Sequence, residues 1–223
     1  MLKRKTLAEL LGSMVLVVVA ISPTILAYDI LGSSIQLAVL YDGVAVGYVL
    51  FALVESLGPI SGCHINPAVT LAMVVTKDLD AKTGVAYILA QMSGGLLGVL
   101  CSSLMFYGLS PKYSKLSSLL TISSISRPSG CYFAEYLWTF ILVLTVYGCS
   151  RNGSRFTGLA VGLLVGGAII TTSSTMFANP QVTVARIFTP AIAGIRPLDA
   201  AFFVLAEVLG ALTAAKLSKH LFG

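Results

Sequence analysis

The sequence predicts an all-α membrane protein with six transmembrane helices and two re-entrant half-helices, arranged as an inverted repeat. Of its 223 residues, 57% are hydrophobic and 10% are charged, well below the roughly 25% charged residues of a soluble domain. The apolar runs have helical length and lack the polar–apolar alternation of membrane β-strands. Two similar Asn-Pro stretches, one in each half of the chain, interrupt these runs.

Six apolar runs are predicted to span the membrane, because of their length and their scarcity of charge. In chain order they cover about residues 7–28, 43–57, 83–107, 131–149, 156–173 and 200–218. The first run follows a basic start and resembles a signal peptide, but Glu9 interrupts it and no clear cleavage site follows. It is therefore predicted to be a retained span.

The two halves of the chain repeat one another in the same order. The matching stretches are Ala8-Glu9 with Ala134-Glu135, Asn66-Pro67-Ala68-Val69-Thr70 with Asn179-Pro180-Gln181-Val182-Thr183, and Ala90-Gln91 with Ala206-Glu207. Repeat one covers about 1–107, the Ser-rich segment 108–130 is the linker, and repeat two covers about 131–223. Three spans in each half make the second half enter from the opposite side, a design found in transport proteins.

Each Asn-Pro stretch predicts the beginning of a half-helix, with asparagine as the N-cap and proline at the first helical position. About nine residues without a breaker follow, which gives roughly 14 Å, half of a 30 Å hydrocarbon core. Inverted symmetry brings the two N-termini together, and non-helical backbone at that depth must be buried in protein or line a wet cavity. We therefore predict a pore, with the Asn66 and Asn179 amide N–H groups directed into it. The alternative is a pair of structural caps without conduction.

These motifs resemble those of the major intrinsic proteins, the aquaporins and aquaglyceroporins, over essentially the whole chain. The residues that carry the resemblance are the two Ala-Glu pairs, the second Asn-Pro, and Ser61-Gly62-x-His64-x-Asn66-Pro67-Ala68-Val69-Thr70. The resemblance implies a single channel domain over 1–223, one pore per protomer and a homotetramer in membrane lipid. It implies a passive channel for water or for small neutral solutes: glycerol-like polyols, hydrogen peroxide, urea and metalloid hydroxides. No cofactor or metal is expected.

The second motif departs from the family pattern, which normally reads Asn-Pro-Ala-Arg. Here Gln181 and Val182 follow Asn179-Pro180, so the filter arginine is absent. The filter positions implied by the resemblance are Val46, Met176, Val182 and, in the fifth span, either Gly167 or Ile169. This apolar ring is expected to be wider than a water-selective filter.

Arg186 lies four residues after Val182 and so shares its helix face. Two interpretations stay open: it partly replaces the missing filter cation in the outer vestibule, or it snorkels outward from a helix C-terminus. Glu9 and Glu135 occupy equivalent positions inside spans, where a charge is costly. They are predicted to support the half-helix loops, with a proton relay as the alternative, and His64 is predicted to fix its own loop.

Two other function classes compete with a passive channel. An ion-coupled secondary transporter can also be built from inverted repeats, whereas a membrane enzyme lacks support from any HExxH or nucleophile-elbow motif. With a cytoplasmic N-terminus, nine Lys and Arg residues fall inside and five outside. This favours both termini in the cytoplasm, in the plasma or inner cell membrane. The net charge of +5 comes without a basic-aromatic patch, so no nucleic-acid partner is expected.

Overall fold

The protein is described here from a computed structural model covering residues 2–222, and within that range it contains helices and no β-strand. In chain order the α-helices are α1 (Leu2–Val19), α2 (Ser22–Thr24), α3 (Ile35–Ser61), α4 (Pro67–Val75), α5 (Ala81–Met105), α6 (Gly130–Arg151), α7 (Thr157–Thr171), α8 (Pro180–Ala185) and α9 (Pro197–Leu221). A π-helical turn covers Ile25–Ile30, and short 3-10 turns cover Pro111–Tyr113, Leu116–Ser118 and Arg186–Phe188. The predicted helical membrane fold is confirmed.

Five helical stretches are long and apolar enough to cross a membrane by their length and composition, among residues 2–222. They are Leu2–Ile30, Ile35–Ser61, Ala81–Met105, Gly130–Arg151 and Pro197–Leu221. The sixth predicted span is α7, which at 15 residues is shorter than the expected 156–173. The second span is longer than expected, because α3 begins at Ile35 rather than near 43. Ser34 caps it there by accepting a hydrogen bond from the Leu37 N–H at 3.2 Å.

The first span breaks after Val19, and Pro23 explains the break. Proline lacks an N–H and its ring clashes with the preceding turn, so α1 cannot continue through it. The Thr24 N–H therefore bonds to the Ile21 carbonyl at 3.1 Å, not to that of Ala20. The Ala20 carbonyl is left available for a partner from elsewhere in the chain.

The helices pack as two interleaved, equivalent sets. Helix α1 packs on α5, α6 packs on α9 in the same way, and α3 packs on α7 to join the halves. The α3–α7 crossing needs small residues, since a Cβ added to Gly162 would lie 2.5 Å from the Gly47 carbonyl oxygen. Half-helix α4 packs on α9, and half-helix α8 packs on α5. Each half-helix is thus held by the third span of the other half.

The end of the segment between the halves runs along the chain that follows α8. The Ser123 N–H donates to the Ile187 carbonyl at 2.7 Å, and the Arg196 N–H donates to the Ile125 carbonyl at 2.8 Å. The Arg127 guanidinium donates to the carbonyl of Gly194 at 2.9 Å. Residues 123–127 of this segment are therefore held against the α8 end of the bundle.

Candidate pore

The two half-helices meet through their asparagines. The Asn66 Oδ1 accepts from the Ala68 N–H at 2.9 Å, and the Asn179 Oδ1 accepts from the Gln181 N–H at 3.2 Å, so each side chain caps its own helix. Each amide also reaches across: Asn66 Nδ2 donates to the Ala178 carbonyl at 2.8 Å, and Asn179 Nδ2 donates to the Ile65 carbonyl at 2.9 Å. Two N–H groups per amide were expected to face the pore. One of each pair is instead used between the halves, and the other remains for the cavity that both asparagines line.

The loops before the asparagines have an unusual backbone. Cys63 and Ile65 in the first loop have φ of 47° and 38°, and Met176 and Ala178 in the second have φ of 40° and 46°. Non-glycine residues rarely adopt positive φ, and such conformations persist only where the surroundings enforce them. All four residues line the cavity. The strained backbone thus forms part of the cavity wall in both halves.

Two fully buried carboxylates hold these loops in the same way. Glu9 accepts from the N–H groups of His64 at 3.0 Å and Ile65 at 2.6 Å. Glu135 accepts from the N–H groups of Phe177 at 3.0 Å and Ala178 at 2.6 Å. Because these backbone groups cannot reach water inside a bilayer, the carboxylates supply acceptors that they need.

The surroundings of the two carboxylates differ. Glu9 also accepts from Gln91 Nε2 at 2.8 Å, and the same amide donates to Thr70 Oγ1 at 3.0 Å. In the second half, Glu207 occupies the position equivalent to Gln91, and its carboxylate accepts from Thr183 Oγ1 at 2.5 Å. The ring of His64 lies 3.2 Å from Thr70 Oγ1 through its Nδ1 and lines the cavity. Across the part of the chain that the structure describes, no group of His, Cys, Asp or Glu is placed to hold a metal ion.

A narrow cavity of about 90 Å³ passes between the half-helices. Its wall combines apolar side chains with the asparagines, and it includes Leu16, Leu50, Val54, Asn66, Leu142, Val161, Val165 and Asn179. At the end near Thr157 it shares residues with a wider, more polar cavity of about 560 Å³, lined by Glu55, Asp78 and Arg151 among others. The opposite end lies at Arg186.

The apolar residues predicted to form the filter are grouped at the Arg186 end of the cavity. Val46, Met176 and Val182 are buried and line the cavity. Of the two candidates in the fifth span, Ile169 lines it, while Gly167 is exposed on the far face of α7. Two residues turn a helix by about 200°, so both cannot face the same way. Of the two, Ile169 is therefore the residue that lines the cavity, and Gly167 does not.

Arg186 is buried with only 2% of its surface exposed, so the outward-snorkelling interpretation is wrong. Its guanidinium donates to the Ala20 carbonyl, lies 3.6 Å from Asp42 Oδ2, and stands 4.2 Å from the centre of the Phe177 ring. Sequence reasoning missed Asp42 because it lies just before residue 43, where the second span was predicted to begin. The available signal was its position four residues before Val46, one turn away on the same helix face.

Two half-helices that meet end to end around a narrow cavity, inside a bundle of inverted halves, define a membrane channel. The family model "Major intrinsic protein" matches residues 1–178. The chain belongs to the major intrinsic protein family.

Similar proteins agree with this assignment. The chain is 36% identical to "Aquaglyceroporin AqpS" of Rhizobium meliloti, with 99% of this chain and 91% of that protein covered. It is 30% identical to "Glycerol uptake facilitator protein-like 6" of Lactiplantibacillus plantarum, with 95% of each covered. The crystal structure of the aquaglyceroporin from Plasmodium falciparum superposes with a TM-score of 0.75 at 20% identity, covering 97% of this chain and 95% of that one.

Cys63 is expected to make the pore sensitive to mercurials. Its thiol is buried and lines the cavity three residues before Asn66. A bulky mercury adduct there would obstruct the passage, so mercuric chloride should slow solute flux in wild type and leave Cys63→Ser unaffected. Cys131→Ser is the control, because Cys131 is buried outside the cavity wall. Inhibition that persists in Cys63→Ser would contradict this assignment.

Proposed function

We propose that this protein is a passive channel for neutral solutes larger than water, with water as a co-permeant. The candidate solutes are glycerol-like polyols, urea, hydrogen peroxide and metalloid hydroxides. One observation carries the proposal: the buried ring of Val46, Ile169, Met176 and Val182 faces the cavity where the family pattern places an arginine. An apolar ring without that side chain leaves room for a carbon or metalloid skeleton.

Passage through the centre follows from the half-helices. Their N-termini each carry roughly half a positive charge, which repels cations at the midpoint. The remaining N–H of Asn66 and of Asn179 donates to a passing hydroxyl or carbonyl oxygen. A water molecule held by two donors cannot continue a proton wire, so solute moves while protons do not.

Arg186 acts in this proposal as a displaced filter cation. It lines the same end of the cavity as Val182 and stands one helical turn beyond it. It therefore supplies donors beside the apolar ring instead of within it, and the ring itself holds no charged side chain.

The remaining parts of the proposal concern assembly and placement. The chain acts as one channel domain over 1–223, as a homotetramer in membrane lipid, with both termini cytoplasmic in the plasma or inner cell membrane. Leucines exposed on the outer faces of several helices suit contact with lipid or with neighbouring protomers. An ion-coupled transporter is not favoured, because Glu9 and Glu135 are engaged with the loop backbone. No catalytic role is proposed.

Reconstituted protein tests the proposal. Proteoliposomes mixed in a stopped-flow instrument with glycerol and urea gradients should re-swell faster than protein-free vesicles, and the flux should not depend on proton or sodium gradients. Vesicles that shrink quickly but do not re-swell would indicate a water-selective pore. Uptake that requires an ion gradient would favour the transporter instead.

A further inference from the structure

A buried ion pair stands beside the apolar ring. Asp42 Oδ2 lies 3.6 Å from the Arg186 guanidinium, and the two side chains are 5% and 2% exposed. Asp42 precedes Val46 by four residues on α3, and Arg186 follows Val182 by four. Each charge is therefore one helical turn from a ring residue. Arg186 lines the cavity, whereas Asp42 is buried outside the cavity wall and faces Arg186.

Three separate segments contact the Arg186 guanidinium. The break in the first span leaves the Ala20 carbonyl to accept from the guanidinium, the Phe177 ring packs on it at 4.2 Å, and Asp42 faces it from α3. Neither Arg186 Nε nor Asp42 Oδ1 has a hydrogen-bond partner among the described side chains and backbone. A buried charge without an opposite charge is strongly unfavourable, so Asp42 has an electrostatic role as well as a steric one.

Other charges near Arg186 are already engaged. Arg127 stands 5.3 Å from the Phe177 ring, but its guanidinium donates to the carbonyls of Ile192 and Gly194, and it does not line the cavity. Asp199 is paired with Arg196 at 2.8 Å. Asp42 is thus the carboxylate in ion-pair range of Arg186 among residues 2–222.

We infer that Asp42 is a specificity-determining residue that positions Arg186 and cancels its charge, so that the end of the cavity at the apolar ring rejects ions of both signs. This rests on the proposed passage of neutral solutes. A lone guanidinium at a wide opening repels cations but attracts anions, and a lone carboxylate does the reverse. The pair has no net charge, yet it keeps N–H donors for a neutral, hydroxyl-bearing or amide-bearing solute.

Three variants test the sign of the charge: Asp42→Asn, Arg186→Gln and the double variant. Wild type should pass glycerol and exclude both nitrate and potassium. In Asp42→Asn, nitrate flux is expected to rise at least about tenfold, because an uncompensated unit charge acts at short range in a low dielectric. In Arg186→Gln, potassium flux should rise instead, and the double variant should exclude both ions again.

The control is Asp29→Asn, which removes a carboxylate paired with Lys112 at 2.9 Å outside the cavity wall. It should leave nitrate and potassium fluxes at the wild-type level. If Asp42→Asn does not fold, Arg186→Gln and the double variant still decide, since the second substitution must abolish the potassium leak. If wild type passes glycerol and both single variants still exclude nitrate and potassium, the proposed role of Asp42 is wrong. The channel proposal is unaffected by that result. Absent glycerol flux in wild type overturns the channel proposal itself.

Discussion

Replacing Val182 by arginine is expected to lower glycerol and urea permeability at least about tenfold while water permeability stays within about twofold, because the barrier then depends on solute size. Val182 is 4% exposed and lines the cavity at the apolar ring. A guanidinium there narrows the ring and adds donors that suit water. It also stands one turn from Arg186, and the two like charges strengthen the repulsion of cations.

Stopped-flow light scattering of proteoliposomes measures all three permeabilities in one preparation. Val182→Leu is the matched control, because it adds bulk at the same position without charge or donors. Its glycerol permeability should fall by less than that of Val182→Arg. Equal glycerol flux in wild type and Val182→Arg would mean that this ring does not set the size limit, and the proposed basis of selectivity would be wrong.

Replacing Glu9 by alanine is expected to lower the free energy of unfolding by at least about 3 kcal/mol, because two buried backbone N–H groups lose their acceptor. The side chain accepts from His64 and Ile65, and it also accepts from Ser61 Oγ at 2.6 Å and from Gln91 Nε2. Without it the positive φ at Ile65 loses its support, so the loop should relax and the pore should close.

Unfolding in mixed detergent micelles gives the stability, and proteoliposome swelling gives the conduction. Glu55→Ala is the control, since it removes an exposed carboxylate from the wider cavity at the Thr157 end. It should leave both measurements near wild type. The stability and conduction of Glu9→Gln should lie between those of wild type and Glu9→Ala, because an amide oxygen can still accept one of the two backbone hydrogen bonds. A Glu9→Ala protein as stable as wild type would show that the loop needs no carboxylate.

Local chemistry explains why much of the fold could be predicted from sequence. The half-helices follow from an N-cap and a proline that lie next to each other in the chain. Half-helix α4 covers nine residues as expected, whereas α8 covers six and continues as a 3-10 turn over Arg186–Phe188. The inverted halves follow from repeated motifs and an odd number of spans. These signals need no knowledge of distant contacts.

The details that sequence reasoning missed depend on contacts between distant segments. The Asp42–Arg186 pair and the amide bonds from Asn66 and Asn179 each join the two halves of the chain. The choice between Gly167 and Ile169 depended on the rotation of α7, which is set by its packing on α3. The start of α3 was placed too late because the residues before 43 were predicted to form a short polar loop, whereas the structure has them in the helix, with Asp42 paired to Arg186.

The hydrogen bonds that the two asparagine amides donate across the halves bear on whether the halves can be produced as separate chains. The Asn66 amide depends on the Ala178 carbonyl, and the Asn179 amide depends on the Ile65 carbonyl. A fragment ending before the linker would insert into a bilayer without the Ala178 carbonyl, so its Asn66 amide would have no acceptor from the other half. The two halves, translated as separate chains, should conduct only after they associate and form both amide bonds.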